Sequence, residues 1–114
     1  MPIDKITSDQ VQTGWGVKLS MQDSFQLLEI ETQSQYLDLN DMRYLPIPQE
    51  IDSSKPLVIS GKIPNWLWMS LVKCLGERVK AILVYQPQLK AAVVVATQDK
   101  NYPLAFQLPI EPMD

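Results

Sequence analysis

The residues best suited to chemistry lie where an apolar segment, residues 57–60, ends at Ser60 and Gly61 and is followed by Lys62 and Pro64. Glycine permits a close backbone approach, and proline is tolerated in the first turn of a helix because its missing N–H would have no intrahelical partner there. The start of a helix also offers free amide donors and a partial positive charge. Together with the Lys62 ammonium, these groups predict an anion-binding site, although most turns of this kind bind no ligand.

A helix predicted over residues 64–75 joins the apolar segment 57–60 to a second one at 79–85. The continuous apolar runs at 81–85 and 91–95 are typical of strands buried on both faces. If the helix forms a right-handed crossover, the strands on either side of it are parallel, and both end at the same side of the sheet.

Two loops, residues 60–64 and 86–90, therefore meet at that side, where open α/β sheets usually bind their ligands. We expect the ligand to be a small anion. The predicted ligand-binding residues are Ser60, Gly61, Lys62, Pro64, Asn65 and Lys90.

Upstream, alternating residues at 17–21 and strand-forming residues at 25–31 predict a hairpin. Residues 37–45 are predicted to form a short helix, and residues 1–13 a flexible terminus. The whole chain, residues 1–114, is thus expected to be one small α/β (α+β) domain. It would contain a mixed β-sheet with an N-terminal hairpin, a βαβ crossover and one or two packed helices.

The composition narrows the classes of function. The chain has 114 residues and a net charge of -3, which argues against non-specific tracking of long DNA, where many cations must replace counterions. Cys74 stands alone and there is no histidine, so neither an intrachain disulfide nor a cysteine cluster is expected, and we predict no metal site from these residues. No apolar run is long enough for a membrane span and no secretory signal is recognisable, which predicts a cytoplasmic protein without membrane contact.

Apolar residues lie on more than one face of the predicted helix. We therefore expect other parts of the protein, or a second copy, to cover it on more than one side. Trp66 and Trp68 are two positions apart and so point to nearly opposite faces. Two interpretations remain open: burial within one subunit, or a face for self-association. Because aromatic residues are enriched at interfaces, the second is slightly favoured, as a homodimer or a larger homo-oligomer.

From residue 57 to residue 97 the sequence resembles the CRISPR-associated Csx-three family of ring nucleases. The family pattern is a strand, Ser-Gly-Arg, a spacer, Pro, a variable residue, Trp-Leu, a helix, a strand ending in Tyr-Asp-Pro-Arg-Leu-Gly, and a valine-rich strand. The matching residues here are Val58, Ile59, Ser60, Gly61, Lys62, Pro64, Trp66, Leu67, Val84, Tyr85, Pro87, Leu89, Ala92, Val93, Val94 and Val95.

The resemblance implies binding of cyclic tetra-adenylate, a short cyclic RNA that acts as the second messenger of type III CRISPR defence, and its manganese-dependent cleavage. Gln86 and Gln88 occupy the positions of the family's catalytic aspartate and arginine. The family's two histidines correspond to the neighbourhoods 75–76 and 97–98, which contain none. A neutral amide neither transfers a proton at neutral pH nor matches a carboxylate as a manganese ligand, so the catalytic step is expected to be weak or lost.

Three hypotheses about function follow. The first is a binder of cyclic tetra-adenylate with little or no turnover. The second is a metal-dependent phosphodiesterase in which Ser60, Lys62 and Gln86 position a phosphate for attack by a ribose 2′-hydroxyl. The third is a non-catalytic scaffold of a CRISPR system that binds a protein partner through Trp68 and the proline-rich residues 103–112. Asp99 and Glu77 are possible replacement carboxylates, but acidic residues of this kind are usually solvated.

Overall fold

The computed structural model describes residues 15–32 and 48–110, to which every structural statement below refers. The predicted flexible start at 1–13 and the predicted helix at 37–45 lie outside these residues. The described elements are β1 (Trp15–Met21), β2 (Gln26–Thr32), β3 (Leu57–Gly61), α1 (Asn65–Leu75), β4 (Ala81–Gln86), β5 (Ala91–Thr97) and β6 (Gln107–Pro109).

One mixed sheet holds the six described strands in the order β1-β2-β3-β4-β5-β6. The hairpin of β1 and β2 is antiparallel, β2, β3 and β4 run parallel, and β5 and β6 are antiparallel to their neighbours. The predicted hairpin, the parallel β3–α1–β4 crossover and the α/β class are therefore confirmed. No helix in the described part of the chain is long and apolar enough to cross a membrane.

The sheet has a hydrophobic core on each face. On one face, which we call the helix face, α1 contributes the fully buried Leu67, Leu71 and Leu75, spaced four residues apart as one side of a helix requires. On the opposite face, Val58 and Leu83 lie under residues from the C-terminal part of the chain, such as Tyr102. Among the described residues, the small opposite-face core is covered by a loop rather than by a helix.

Local chemistry explains the sharp change from β3 to α1. Gly61 has a φ of +154°, and a Cβ atom at this position would collide with the backbone carbonyl oxygen of Ile30 in β2. Pro64 has φ -67° and ψ 157°, and its carbonyl oxygen accepts the N–H of Leu67 at 3.0 Å and that of Trp68 at 3.2 Å. Gly61 is therefore required by packing against β2, and Pro64 precedes the first helical residue instead of lying within the first turn.

Two predictions about α1 need correction. Trp66 and Trp68 do not divide between core and exterior, since both are half-buried at the margin of the helix-face core and Leu67 between them is fully buried. The helix is not covered on more than one side by the described residues, because Met69 on its outer side is 72% exposed. An amphipathic helix on a single sheet face needs only one buried stripe, and the flanking tryptophans widen that stripe.

The prediction of strands buried on both faces holds only in part. The first three residues of β4 are buried, but Val95 in β5 is 43% exposed. The register between β4 and β5 shifts between Ile82 and Leu83, so that Val95 has no partner in β4. Within the proline-rich segment, β6 pairs with β5.

Candidate ligand-binding site

The site forms where β3 and β4 end, at Gly61 and Gln86, which we call the carboxyl end of the sheet. Because the two strands are adjacent and parallel, the loops that follow them emerge side by side, as predicted. Lys62 in one loop and Lys90 in the other are both exposed. The second loop is a tight turn in which the Leu89 N–H donates to the Gln86 carbonyl at 3.0 Å, and Lys90 adopts a φ of +50°.

The start of α1 lies beside these loops. Pro64 is half-buried and Asn65 is exposed. The Pro64 carbonyl is the acceptor for the third and fourth amides of the helix, so the N–H groups of Asn65 and Trp66 have no acceptor among the described residues. The two free amides and the two lysine side chains therefore supply hydrogen-bond donors and positive charge at this end of the sheet. None of these donors has an acceptor among the described residues.

An open groove of about 540 Å³ runs along the helix face, between α1 and the last strands of the sheet. It extends from Asn65 to Lys73, a distance of ~12 Å at 1.5 Å per helical residue. Its lining combines apolar side chains with two amides and one cation. The lining residues are Asn65, Trp68, Met69, Val72, Lys73, Val84, Gln86 and Val95.

The structure brings some predicted site residues together and separates others. Asn65 and Gln86 line the same groove. Ser60, in contrast, follows Val58 by two positions in β3, and Val58 belongs to the core of the opposite face. Because side chains alternate along a strand, the Ser60 hydroxyl lies on the face away from Gln86. A mechanism in which Ser60 and Gln86 hold one phosphate on the same face of the sheet finds no support in this geometry.

The electrostatics of the two faces differ. Ser60 is paired in register with Glu29 of β2, and Glu29 is in turn opposite Lys18 of β1. These paired charges offset each other on the opposite face. On the helix face, the groove contains Lys73 as its single charged lining residue, so this face is the more favourable one for an anionic ligand.

The other side of the sheet, where β3 and β4 begin, we call the amino end. Residues 75–76 and 97–98, where the resemblance would place histidines, meet there, since the Gln98 side-chain amide donates to the Gly76 carbonyl at 2.8 Å. Asp99 lies at the same end and is 3.6 Å from the Lys80 ammonium. β4 separates this end from Gln86 by ~17 Å, at about 3.3 Å per residue. Neither Asp99 nor Glu77, which is two residues beyond the end of α1, is placed to replace a carboxylate at Gln86.

The side chains of loops 60–64 and 86–90 do not fit manganese. The side-chain oxygens that the two loops offer there are the neutral amide oxygens of Gln86, Gln88 and Asn65 and the Ser60 hydroxyl. No group of three or more histidine, cysteine, aspartate or glutamate residues is clustered in the described ranges. Manganese favours carboxylates among hard oxygen donors, so we route no chemical step through a metal.

With this geometry in place, comparison with known proteins is informative. The model of a family described as CRISPR-associated protein (Cas_csx3) matches residues 30–105 of the chain. The chain belongs to this family. Among curated proteins, none matches it. The match spans the end of β2, the β3–α1–β4 crossover and β5, so it includes every residue predicted to form the site.

Sequence reasoning identified the two loops of this Cas_csx3 family member but missed the groove. Only the scaffold hypothesis gives Trp68 a binding role, on a protein-partner surface, and no prediction places Lys73, Val84 or Val95 in a ligand site. The spacing of Asn65, Trp68 and Val72 along one side of the helix was a usable signal, since residues three and four apart share a face. No comparable signal in the sequence indicates that Val95 lines the groove, because its position depends on the register shift in β5.

Proposed function

We propose that this CRISPR-associated protein binds cyclic tetra-adenylate at the carboxyl end of the sheet and cleaves it slowly or not at all. The observation that carries the proposal is the convergence of Lys62, Lys90 and the free amides of Asn65 and Trp66 beside two parallel strands. These groups match the phosphates of a cyclic oligonucleotide. Each helix start contributes roughly 0.3–2 kcal/mol for a negative charge, so several such groups must act together.

Symmetry supports a second part of the proposal, which is that two copies of the chain share one ring. A four-fold cyclic phosphodiester has equivalent phosphates, and a two-fold dimer presents two equivalent sites to them. In one copy, the loops 60–64 and 86–90 together offer two lysines, and that is little charge for four phosphates. We therefore propose a homodimer or larger homo-oligomer as the form that binds the ring.

Slow or absent turnover is supported by the chemistry of the same residues. Gln86 and Gln88 carry no proton-transferring group, and Asp99 is held at the amino end by Lys80. A positioned acid or base typically contributes about a hundred- to ten-thousand-fold in rate. If turnover occurs, it relies on orientation and charge stabilisation alone.

The decisive experiment incubates the purified protein with cyclic tetra-adenylate, with and without manganese, and separates bound and free nucleotide by chromatography over time. Retained, intact ring is the expected result. Linear products would contradict the loss of catalysis and indicate that catalytic groups have been rebuilt. Ring that is neither bound nor altered would overturn the proposal and favour the scaffold hypothesis.

A charge-reversal pair locates the site. Lys62→Glu is expected to weaken ring binding about tenfold or more, because it replaces a charge-assisted contact by repulsion. Lys100→Glu makes the same change in net charge on an exposed residue at the amino end and should leave binding unchanged. Equal effects of the two variants would indicate a general electrostatic effect, and unchanged binding in Lys62→Glu would mean that the site is elsewhere.

A further inference from the structure

We infer that the groove along α1 is a nucleobase slot that stacks a purine on Trp68 and reads its edge through the amides of Asn65 and Gln86. This inference rests on the proposed function, because it assigns the base of the same ligand whose phosphates lie at the carboxyl end. Three observations support it: the shape and lining of the groove, the chemistry of its polar groups, and its position relative to the phosphate-binding groups.

The lining of the groove is that of a small-molecule site. Its volume of about 540 Å³ lies within the range of ligand pockets, which are largely apolar with a few polar groups that fix orientation. The apolar part consists of Trp68, Met69, Val72, Val84 and Val95. Trp68 is half-buried against the core, so its ring is held in place while part of it remains open to the groove. A fixed indole of this kind is a suitable platform for base stacking.

The polar groups of the groove complement the edge of adenine, the base of the proposed ligand. A carboxamide presents one donor and one acceptor side by side, which complements the N7 acceptor and the N6 amino donor of that base. In the described part of the chain, neither the Gln86 amide nor the Asn65 amide makes a side-chain hydrogen bond, so both are free for a ligand. Lys73 adds a positive charge that favours an anionic ligand over a neutral one.

The groove is continuous with the phosphate-binding groups. Asn65 is the first residue of α1 and Gln86 the last residue of β4, so both lie where the carboxyl-end loops begin. A nucleotide with its phosphate near Lys62 can therefore place its base in the groove. Eight residues line the groove, whereas a stable protein interface uses roughly 20–30 residues a side, so the groove alone fits a base better than a second protein chain.

The test compares two rings of equal charge, cyclic tetra-adenylate and cyclic tetra-uridylate, by equilibrium binding. We expect the wild-type protein to prefer the adenylate ring by about tenfold, within the range known for a bidentate base contact. Gln86→Leu should reduce this preference to about twofold or less by removing one amide. Gln22→Leu makes the same substitution at an exposed residue of the hairpin and should retain it.

Trp68→Leu tests the stacking contact, with Trp66→Leu as its matched control. The two tryptophans are half-buried against the same core, but only Trp68 lines the groove. We expect the adenylate ring to quench tryptophan fluorescence in wild type and in Trp66→Leu but not in Trp68→Leu. Equal quenching in both variants would overturn the assignment of Trp68 even if both proteins are slightly destabilised.

The outcomes separate the two proposals. Equal affinity of the wild-type protein for the two rings, with binding still lost in Lys62→Glu, would overturn the base slot and leave the proposed function intact. No binding of either ring would overturn both. If sedimentation without nucleotide shows that Met69→Glu converts a dimer into a monomer, a second copy covers the groove and the base slot is wrong.

Discussion

The two ends of the sheet use polar residues in opposite ways. At the amino end, Gln26 is completely buried, and its amide donates to the carbonyl oxygens of Asp52 at 2.6 Å and Lys55 at 3.1 Å. The Asp52 N–H in turn donates to the side-chain Oε1 of Gln26 at 2.9 Å. Gln98 similarly donates to the carbonyls of Gly76 and Val79. Glutamine here connects loops to the sheet.

At the carboxyl end, glutamine makes no such connections. The side chains of Lys62, Gln86, Gln88 and Lys90 form no hydrogen bond to another described residue. Buried polar groups must be paired to avoid a desolvation penalty, whereas exposed ones remain hydrated at little cost to folding. The polar groups of the amino end therefore stabilise the fold, while those of the carboxyl end remain available to bind a ligand. Four comparisons between variants test this division.

Gly61→Ala is expected to have the largest effect on stability. Gly61 is an exception at the carboxyl end, because this residue is required for packing of the fold. Its φ of +154° disfavours alanine, and the new Cβ would collide with the Ile30 carbonyl oxygen of β2. We expect a loss of about 2–4 kcal/mol in the free energy of unfolding, measured by urea denaturation. Ser60→Ala, one residue earlier, should change it by less than about 0.5 kcal/mol. Equal stability of both variants would mean that packing against β2 does not require glycine at position 61.

Gln26→Leu tests the buried amide of the amino end. Leucine has a similar volume, but it leaves the Asp52 N–H and two carbonyl groups without their described partner. We expect the unfolding free energy to fall by about 2–3 kcal/mol, since an unpaired buried polar group costs ~1–3 kcal/mol. The exposed Gln22→Leu should stay near the wild-type value. A Gln26→Leu protein of full stability would show that water satisfies the loop and that the amide is not a structural connection.

Sequence reasoning succeeded where individual residues clearly mark the ends of strands and helices. The β3–α1–β4 crossover follows from Gly61, Pro64 and the apolar runs on either side of the helix, and each is a local signal that the tertiary structure retains. The parallel pairing then follows from the handedness of crossovers, and it correctly brings the two loops together. The positions of Lys62 and Lys90 at the carboxyl end could be predicted from the sequence for the same reason.

The groove and the burial of Gln26 could not be predicted from the sequence, because both depend on tertiary structure. Adjacent strands are ~4.8 Å apart and a helix is about 10–12 Å wide, so α1 cannot cover six strands. Val95 belongs to a run that is typical of a buried strand, yet it lies beyond the helix and at a register shift. Gln26 stands in a hairpin of alternating residues, and nothing near it in sequence indicates that it binds a loop 26 residues away.

Gln98→Ala and Gln88→Ala compare the two ends directly with one residue type. Gln98 loses hydrogen bonds to the Gly76 carbonyl at 2.8 Å and the Val79 carbonyl at 3.2 Å. We expect a decrease of about 1–2 kcal/mol in unfolding free energy, at 0.5–1.5 kcal/mol per bond with partial exposure. Gln88 lies in an exposed turn, so its replacement should change stability by less than about 0.5 kcal/mol. Similar values for the two would remove the distinction between the ends.

The smallest expected effect concerns the pH dependence of the loop that Gln26 holds. The Ser54 hydroxyl and the Ser54 N–H donate to the Asp52 carboxylate at 2.6 Å and 2.8 Å, and these bonds lower the pKa of Asp52 below its ordinary value of 3.8. A carboxyl group with a lowered pKa stabilises the folded state above its ordinary pKa, and this contribution disappears as the pH falls through the folded-state value.

Asp52→Asn should therefore be less stable than wild type near neutral pH, and the difference should shrink as the pH is lowered below 3.8. Thermal unfolding at a series of pH values measures this difference. In a Ser54→Ala background the main cause of the lowered pKa is removed, so the pH-dependent part of the difference should shrink there too. If it persists unchanged, the hydroxyl is not the cause, and the backbone N–H of residue 54 together with the charges of Lys55 and Lys80 accounts for the lowered pKa of Asp52.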